Sequence, residues 1–207
     1  YGLREGLLFS HLDSVTQATD PLISVCRTLA AKMGRFPEHG DELMSWTGPL
    51  FEGHPYERLR LAACLLSDIG WRTHQSYRAE QAVLAILRGS FMGTDHPGRA
   101  LLGLAIWVRY GGAKEGNGNF DVFDTLLDNE QRRIAELMGL ALRLGNRLSG
   151  GVPGLLGGTC LVVSEDELVL RLAANRSPLR GEAVEKRLQA LGRALSLNTR
   201  IEVADKL

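Results

Sequence analysis

Cysteine is scarce in this chain of 207 residues: only Cys26, Cys64 and Cys160, far apart, among apolar neighbours and with no C-x-x-C. That spacing excludes a disulfide framework or a cysteine-built zinc site and fits small buried side chains in a reducing compartment. Charge of one sign is lacking too, since Lys+Arg and Asp+Glu both total 24. No global field draws the chain onto nucleic acid or an anionic membrane, so anion binding has to come from local clusters. The apolar runs are broken by Arg, Gly or Asp, well short of the roughly 20 residues that span a bilayer. No basic segment followed by an apolar one opens the chain, so no targeting peptide is read there. These absences predict a cytoplasmic protein that engages neither membrane nor nucleic acid. The chain begins with Tyr1 rather than Met, which predicts a fragment of something longer.

Complete enzyme motifs are also missing. There is no G-x-S-x-G, the cysteines have no His nearby in sequence, and Gly157-Gly158-Thr159 lacks the lysine of a phosphate-binding loop. The carboxylates Glu165, Asp166 and Glu167 fall on a predicted turn, as solvated side chains. No internal repeat or low-complexity tract divides the chain.

What is present is helical periodicity. Leu3, Leu7, Leu8, His11 and Leu12 form a stripe that stops before the polar run Ser14 to Thr19. Asp20 as N-cap, Pro21 at the first helical position and Gly34 as terminator bracket a helix whose stripe is Leu22, Cys26, Leu29 and Met33. Residues 37–53 are helical in pattern with a break at Gly48-Pro49. Pro55 opens an apolar helix through Leu59, Ala62, Ala63, Leu66 and Ile69, closed by Gly70. Helices follow over 75–89 and 96–110, the second apolar almost all round and hence central. The segment 111–119 reads as a turn-rich excursion, and another helix covers 129–148. "SGGVPGLLGG", residues 149–158, is the best boundary in the chain. After it, Cys160 to Val163 and Glu167 to Ala173 predict a hairpin, Glu182 to Leu195 a helix, and Thr199 to Ala204 a strand. A ββαβ unit of this size is too small to stand alone, so it should pack on another domain. The predicted fold is mainly α with a small α+β tail: a connector helix in residues 1–18, a helical domain in 19–149 and an α+β unit in 150–207.

One stretch raises a question of chemistry. "LLSDIGW", residues 65–71, resembles the end of a helix in metal-dependent HD-type phosphohydrolases, with Ser67 where a metal-binding His would stand. Such a site needs a His, an adjacent His-Asp pair and a further Asp to converge on one cation. A neutral hydroxyl is a weak ligand, so no metal is predicted; Asp68, His54 and His74 are the weak candidates that remain. The other chemical signal is a group of cations, Arg58, Arg60, Arg72, His74, Arg78, Arg88 and Arg99, to which His96 adds, being three residues from Arg99. Guanidinium suits multidentate phosphate recognition.

Three stretches in order carry a family resemblance: "YGLREGLL" (1–8), "LLSDIGWRTHQSYRAEQA" (65–82) and "FMGTDHPGRALLGLAIWVRYGG" (91–112). Together they resemble the C-terminal region of the exopolyphosphatase and guanosine pentaphosphate phosphatase family, in which G-L-R-x-G leads from an actin-like catalytic domain into a helical, HD-like domain. The resemblance implies a parent hydrolase of phosphoanhydride bonds in polyphosphate or guanosine pentaphosphate, with Mg²⁺ in a catalytic domain preceding Tyr1. None of that domain's catalytic residues lies in this sequence. It further implies a C-terminal region that helps to channel polyphosphate and to form a homodimer. On that basis Arg72, His74, Arg78, His96 and Arg99 are the candidate polyphosphate contacts. Two other readings stand beside this one: an HD-type phosphohydrolase using Asp68, His54 and His74, and a helical interaction module that dimerises and binds no phosphate.

Overall fold

The computed structural model describes residues 3–112 and 121–204. The first two residues of the 1–8 motif and most of the predicted excursion at 111–119 therefore lie outside the described residues. Ten α-helices are found among those described: α1 (Leu3–Ser10), α2 (Ser14–Ala18), α3 (Pro21–Met33), α4 (His39–Trp46), α5 (Glu57–Leu66), α6 (Arg78–Arg88), α7 (His96–Tyr110), α8 (Asp121–Leu126), α9 (Asn129–Ser149) and α10 (Glu182–Leu195). Strands β1 (Thr159–Val163), β2 (Glu167–Ala173) and β3 (Asn198–Ala204) complete the fold. It is mainly helical, with one small sheet at the C-terminal end.

Local chemistry explains where the helices begin. Asp20 accepts from the N–H groups of Leu22 and Ile23 with Pro21 in the first turn of α3, and Asp95 accepts from Gly98 N–H at the start of α7. Asp128 and Gln131 form a reciprocal capping box on α9, each such cap being worth about 1 kcal/mol. Helix α7 ends on Gly111 in the left-handed region, φ 79°, where a residue without Cβ closes the helix without strain.

Three departures from the sequence reading have local causes. Ser14–Ala18, read as a polar run, is the short helix α2, because Asp13 caps it from the N–H groups of Val15 and Thr16. Helix α8 was not foreseen; six residues give too few turns for a periodic stripe, and it is fixed instead by Phe123, buried against α7 at Gly103. Helix α5 stops at Leu66 rather than running to Gly70. Beyond it the chain tightens into turns in which Ser67 N–H donates to Cys64 O and Ile69 N–H to Leu66 O, the three-residue spacing that ends many helices.

Helix α7 is the centre, buried from Ala100 to Ile106. It packs on α6 and α9, and α9 approaches it closely at Gly139, where an added Cβ would lie 2.5 Å from Ala105 O. Helices α3 and α4 pack on α5. In the tail β1 pairs antiparallel with β2 (Thr159 opposite Leu172), and β2 pairs parallel with β3 (Glu167 opposite Asn198) through α10. Helix α10 lies against α9, so Leu168, Leu170, Leu172, Val184, Leu188 and Leu191 join the same buried cluster as the helical residues. The sequence changes character at residue 150; the core runs through it.

Candidate functional site

Asp68 lies just past the end of α5, 8% exposed, and is clasped by arginine. Arg35 Nε donates to Oδ2 and Arg35 Nη2 to Oδ1, both at 2.9 Å, and the Arg35 backbone N–H reaches Oδ2 at 3.3 Å. Two parallel N–H···O bonds to one carboxylate are the geometry that the planar guanidinium favours. Arg109, near the end of α7, brings Nη2 to 3.7 Å from Asp68 Oδ1. Aromatic rings complete the site: Arg35 lies over Trp71, 5.3 Å from its centroid, and Arg109 over Tyr110 at 4.3 Å. Tyr110 Oη accepts the N–H of Gly70 at 2.8 Å, tying the "DIG" turn to α7. The carboxylate that would face a metal in an HD site faces guanidinium here.

The electrostatics follow from this crowding. The hydrogen bond to Asp68 raises Arg35 above the ordinary guanidinium range. Burial lowers Arg109, against the pull of Tyr110 and Asp68, while Arg35 and Arg78 repel it. Burial likewise raises the Tyr110 phenol. Two guanidiniums, those of Arg35 and Arg109, thus share one carboxylate, with the charge of Arg78 acting on Arg109 from beside them. Further out, burial lowers Arg143, and the charges of Arg187 and Arg109 act in the same direction. Among the described residues the buried donors Trp71 Nε1 and Arg109 Nε have no acceptor. The site carries more donors and positive charge than its one acid balances.

The glycine-rich junction rests on this clasp. Gly151 has φ 78°, and a Cβ there would run into Arg35 Nη2 and sit 3.6 Å from Asp68 Oδ1. A residue without side chain is needed both for the backbone and for the close approach.

The cations singled out in the sequence meet different fates. Arg78 donates to Trp71 O at 2.8 Å and Thr73 O at 3.3 Å and packs on Gly70, so it belongs to the clasp. Arg99 donates to the carbonyls of Leu87, Gly89 and Phe91 and shapes the turn between α6 and α7. Arg72 is exposed, its guanidinium 5.8 Å from the Trp71 ring. His74 is exposed and its Nδ1 accepts Ser76 N–H at 3.3 Å; His96 is exposed at the start of α7. Arg58 is bound to Asp20 and Arg60 to Met44 O and Thr47. The weak metal candidates do not converge: His54 Nε2 lies 3.9 Å from Glu130, and no group of three His, Cys, Asp or Glu that could hold a metal occurs among the described residues.

The sequence reading missed Arg35, Arg109 and Tyr110. Arg109 carried a signal, as a charged residue on a helix otherwise apolar nearly all round. Arg35 carried none, since it follows Gly34 in a connection without periodicity.

The described residues thus form a mainly helical unit in which Asp68 is closed by guanidinium, with a ββαβ tail packed on it. The chain belongs to the exopolyphosphatase C-terminal family, whose model matches residues 22–201. No curated protein matches it. No helix among the described residues is long and apolar enough to cross a membrane.

Proposed function

We propose that this chain is the part of an exopolyphosphatase that binds the polyphosphate chain and takes part in dimerisation, without performing turnover itself. Family membership supports the exopolyphosphatase setting. The observation that carries the binding role is the imbalance at the clasp, where Arg35 and Arg109 share Asp68, Arg78 adds a third positive charge that acts on Arg109, and two buried donors lack acceptors. Such a site attracts a polyanion without a global surplus of charge. Arg72, His74 and His96, exposed on the same helical unit, make the direct contacts to phosphate. Arg78 and Arg99, engaged by backbone carbonyls, shape the turns beside them. The non-catalytic role rests on Asp68, whose two oxygens are already taken by Arg35. In the parent enzyme Mg²⁺ serves the catalytic domain and the cytoplasm is the setting.

Titration of the chain with long-chain polyphosphate tests the binding role. Arg72→Ala combined with His74→Ala is expected to weaken affinity about tenfold, as loss of charge-assisted phosphate contacts does. Unchanged affinity in that variant and in His96→Ala would overturn the assignment of contacts. No binding by the wild type would overturn the function.

A further inference from the structure

A second polar network also meets the junction. His39, at the start of α4, is 2% exposed, and Ser149, the last residue of α9, is 1% exposed. Glu42 Oε2 is 2.9 Å from His39 Nδ1, and His39 Nε2 is 3.0 Å from Ser149 Oγ. Glu42 Oε1 accepts Leu156 N–H at 3.1 Å, and Ser149 Oγ accepts Gly151 N–H at 3.0 Å. These are the spacings of a nucleophile, a base and an orienting acid. Burial of both Ser149 and His39 closes them to substrate, and both ends of the relay hold the backbone of residues 151–156.

The protons decide what the relay does. Ser149 has one hydroxyl hydrogen and two acceptors in reach, His39 Nε2 and Gly145 O, the latter also at 3.0 Å. With His39 neutral and its proton on Nδ1 facing Glu42, the hydroxyl donates to Nε2. With His39 charged, Nε2–H donates to Oγ and the hydroxyl turns to Gly145 O. Every bond survives, and those to the ring become charge-assisted and stronger. Protonating Glu42 acts in the opposite sense: one acceptor oxygen becomes an O–H facing Leu156 N–H or the ring, and a bond weakens.

We propose that Glu42, His39 and Ser149 form a proton-responsive latch on the junction between the helical unit and the ββαβ tail. It is tightest when His39 is charged and Glu42 ionised, and it slackens on either side of that window. Few other charges face it. On α4 itself Asp41 is paired with Arg27. Arg35 and Asp68, paired with each other, reach Gly151 from the α3–α4 connection and the end of α5. Helix α9 adds Asn146, whose amide donates to Leu142 O. The β1 side adds Thr159, which accepts Trp46 Nε1–H, and Cys160, which shares a shallow cavity of about 340 Å³ with Glu42. Glu42 is the relay's link to solvent, its side chain 22% exposed.

Amide hydrogen exchange of the whole chain, followed at Gly151 and Leu156 over a pH series and corrected for intrinsic rates, tests this. Protection is expected to pass through a maximum within the pH series. Glu42→Gln should lower the maximum about tenfold, the effect of losing a hydrogen bond to a charged group, and remove the acid limb. His39→Gln should remove the alkaline limb. If Glu42→Gln does not fold, Ser149→Ala provides the second test: without the hydroxyl Gly151 N–H loses its acceptor, so protection at Gly151 should fall and lose its pH dependence, while Leu156, held by Glu42, keeps both limbs. A flat profile in the wild type, or a Gly151 profile in Ser149→Ala with both limbs intact, would overturn the latch. Polyphosphate affinity is measured separately and does not bear on it.

Discussion

Asp68 is held by charge, and its removal strands charge. Taking away one partner of a largely buried ion pair leaves the other uncompensated, which typically costs 3–5 kcal/mol. Arg35 is 30% exposed, so Asp68→Ala is expected at the lower end, about 3 kcal/mol by denaturant unfolding. Replacing both, Arg35→Met with Asp68→Leu, should recover less than half of that loss, because Arg109 is still left without its acid. A second pair shows how pH enters. The hydrogen bond from Arg58 holds the Asp20 carboxyl below its ordinary 3.8, with the α3 N–H groups assisting against burial. A depressed carboxylate contributes stability that is full above the unfolded value and is lost as pH falls through the folded one. Asn still caps a helix, so Asp20→Asn removes chiefly the ionic part. The stability gap between wild type and Asp20→Asn should therefore close on acidification below about pH 4, as followed by urea unfolding at several pH values. Asp20 was legible because a cap acts within three positions. The clasp was not, because Arg35 and Asp68 are 33 positions apart, nor was the latch, with His39 and Ser149 separated by 110.

The elements owe their arrangement to burial, and their apolar stripes were readable for that reason. Helix α10 was placed to its end residues by Val184, Leu188 and Leu191, and these positions are buried. Helix α7 was recognised as central because it is apolar nearly all round, and α9 packs against it through Gly139. A methyl group there meets Ala105 O and Val108 at 2.5 Å, so Gly139→Ala should destabilise by about 1–3 kcal/mol through overpacking. The gain in helix propensity, about 1 kcal/mol, reduces that penalty without reversing it. Thermal unfolding followed by circular dichroism measures the sum. The junction at 149–158 is the element that sequence composition describes least well. Five glycines and a proline suggest a slack tether, yet Gly151 sits on Arg35, Leu156 on Glu42, and Arg176 donates to the carbonyls of Gly154 and Gly157. Glycine serves there for close approach as well as for turning, and composition does not distinguish the two uses.

At the scale of the whole molecule, "LLSDIGW" is where fold and function meet. Ser67 is buried at 2% exposure, and Asp68 faces arginine on one side and the junction on the other. The motif thus joins the helical unit to the tail. That arrangement, inside a family match that spans residues 22–201, is the basis for the proposal that this chain binds polyphosphate and that turnover belongs to a catalytic domain of a parent enzyme. A polyanion held by several cations releases counterions as it binds, so affinity must fall with salt. The direct test of that assignment is the affinity of the chain for long-chain polyphosphate measured across a salt series. A linear fall of log affinity with log salt is expected, with a slope of roughly −2 or steeper, as several phosphate contacts require. Affinity that stays flat with salt, or binding that is absent at low salt, would contradict it.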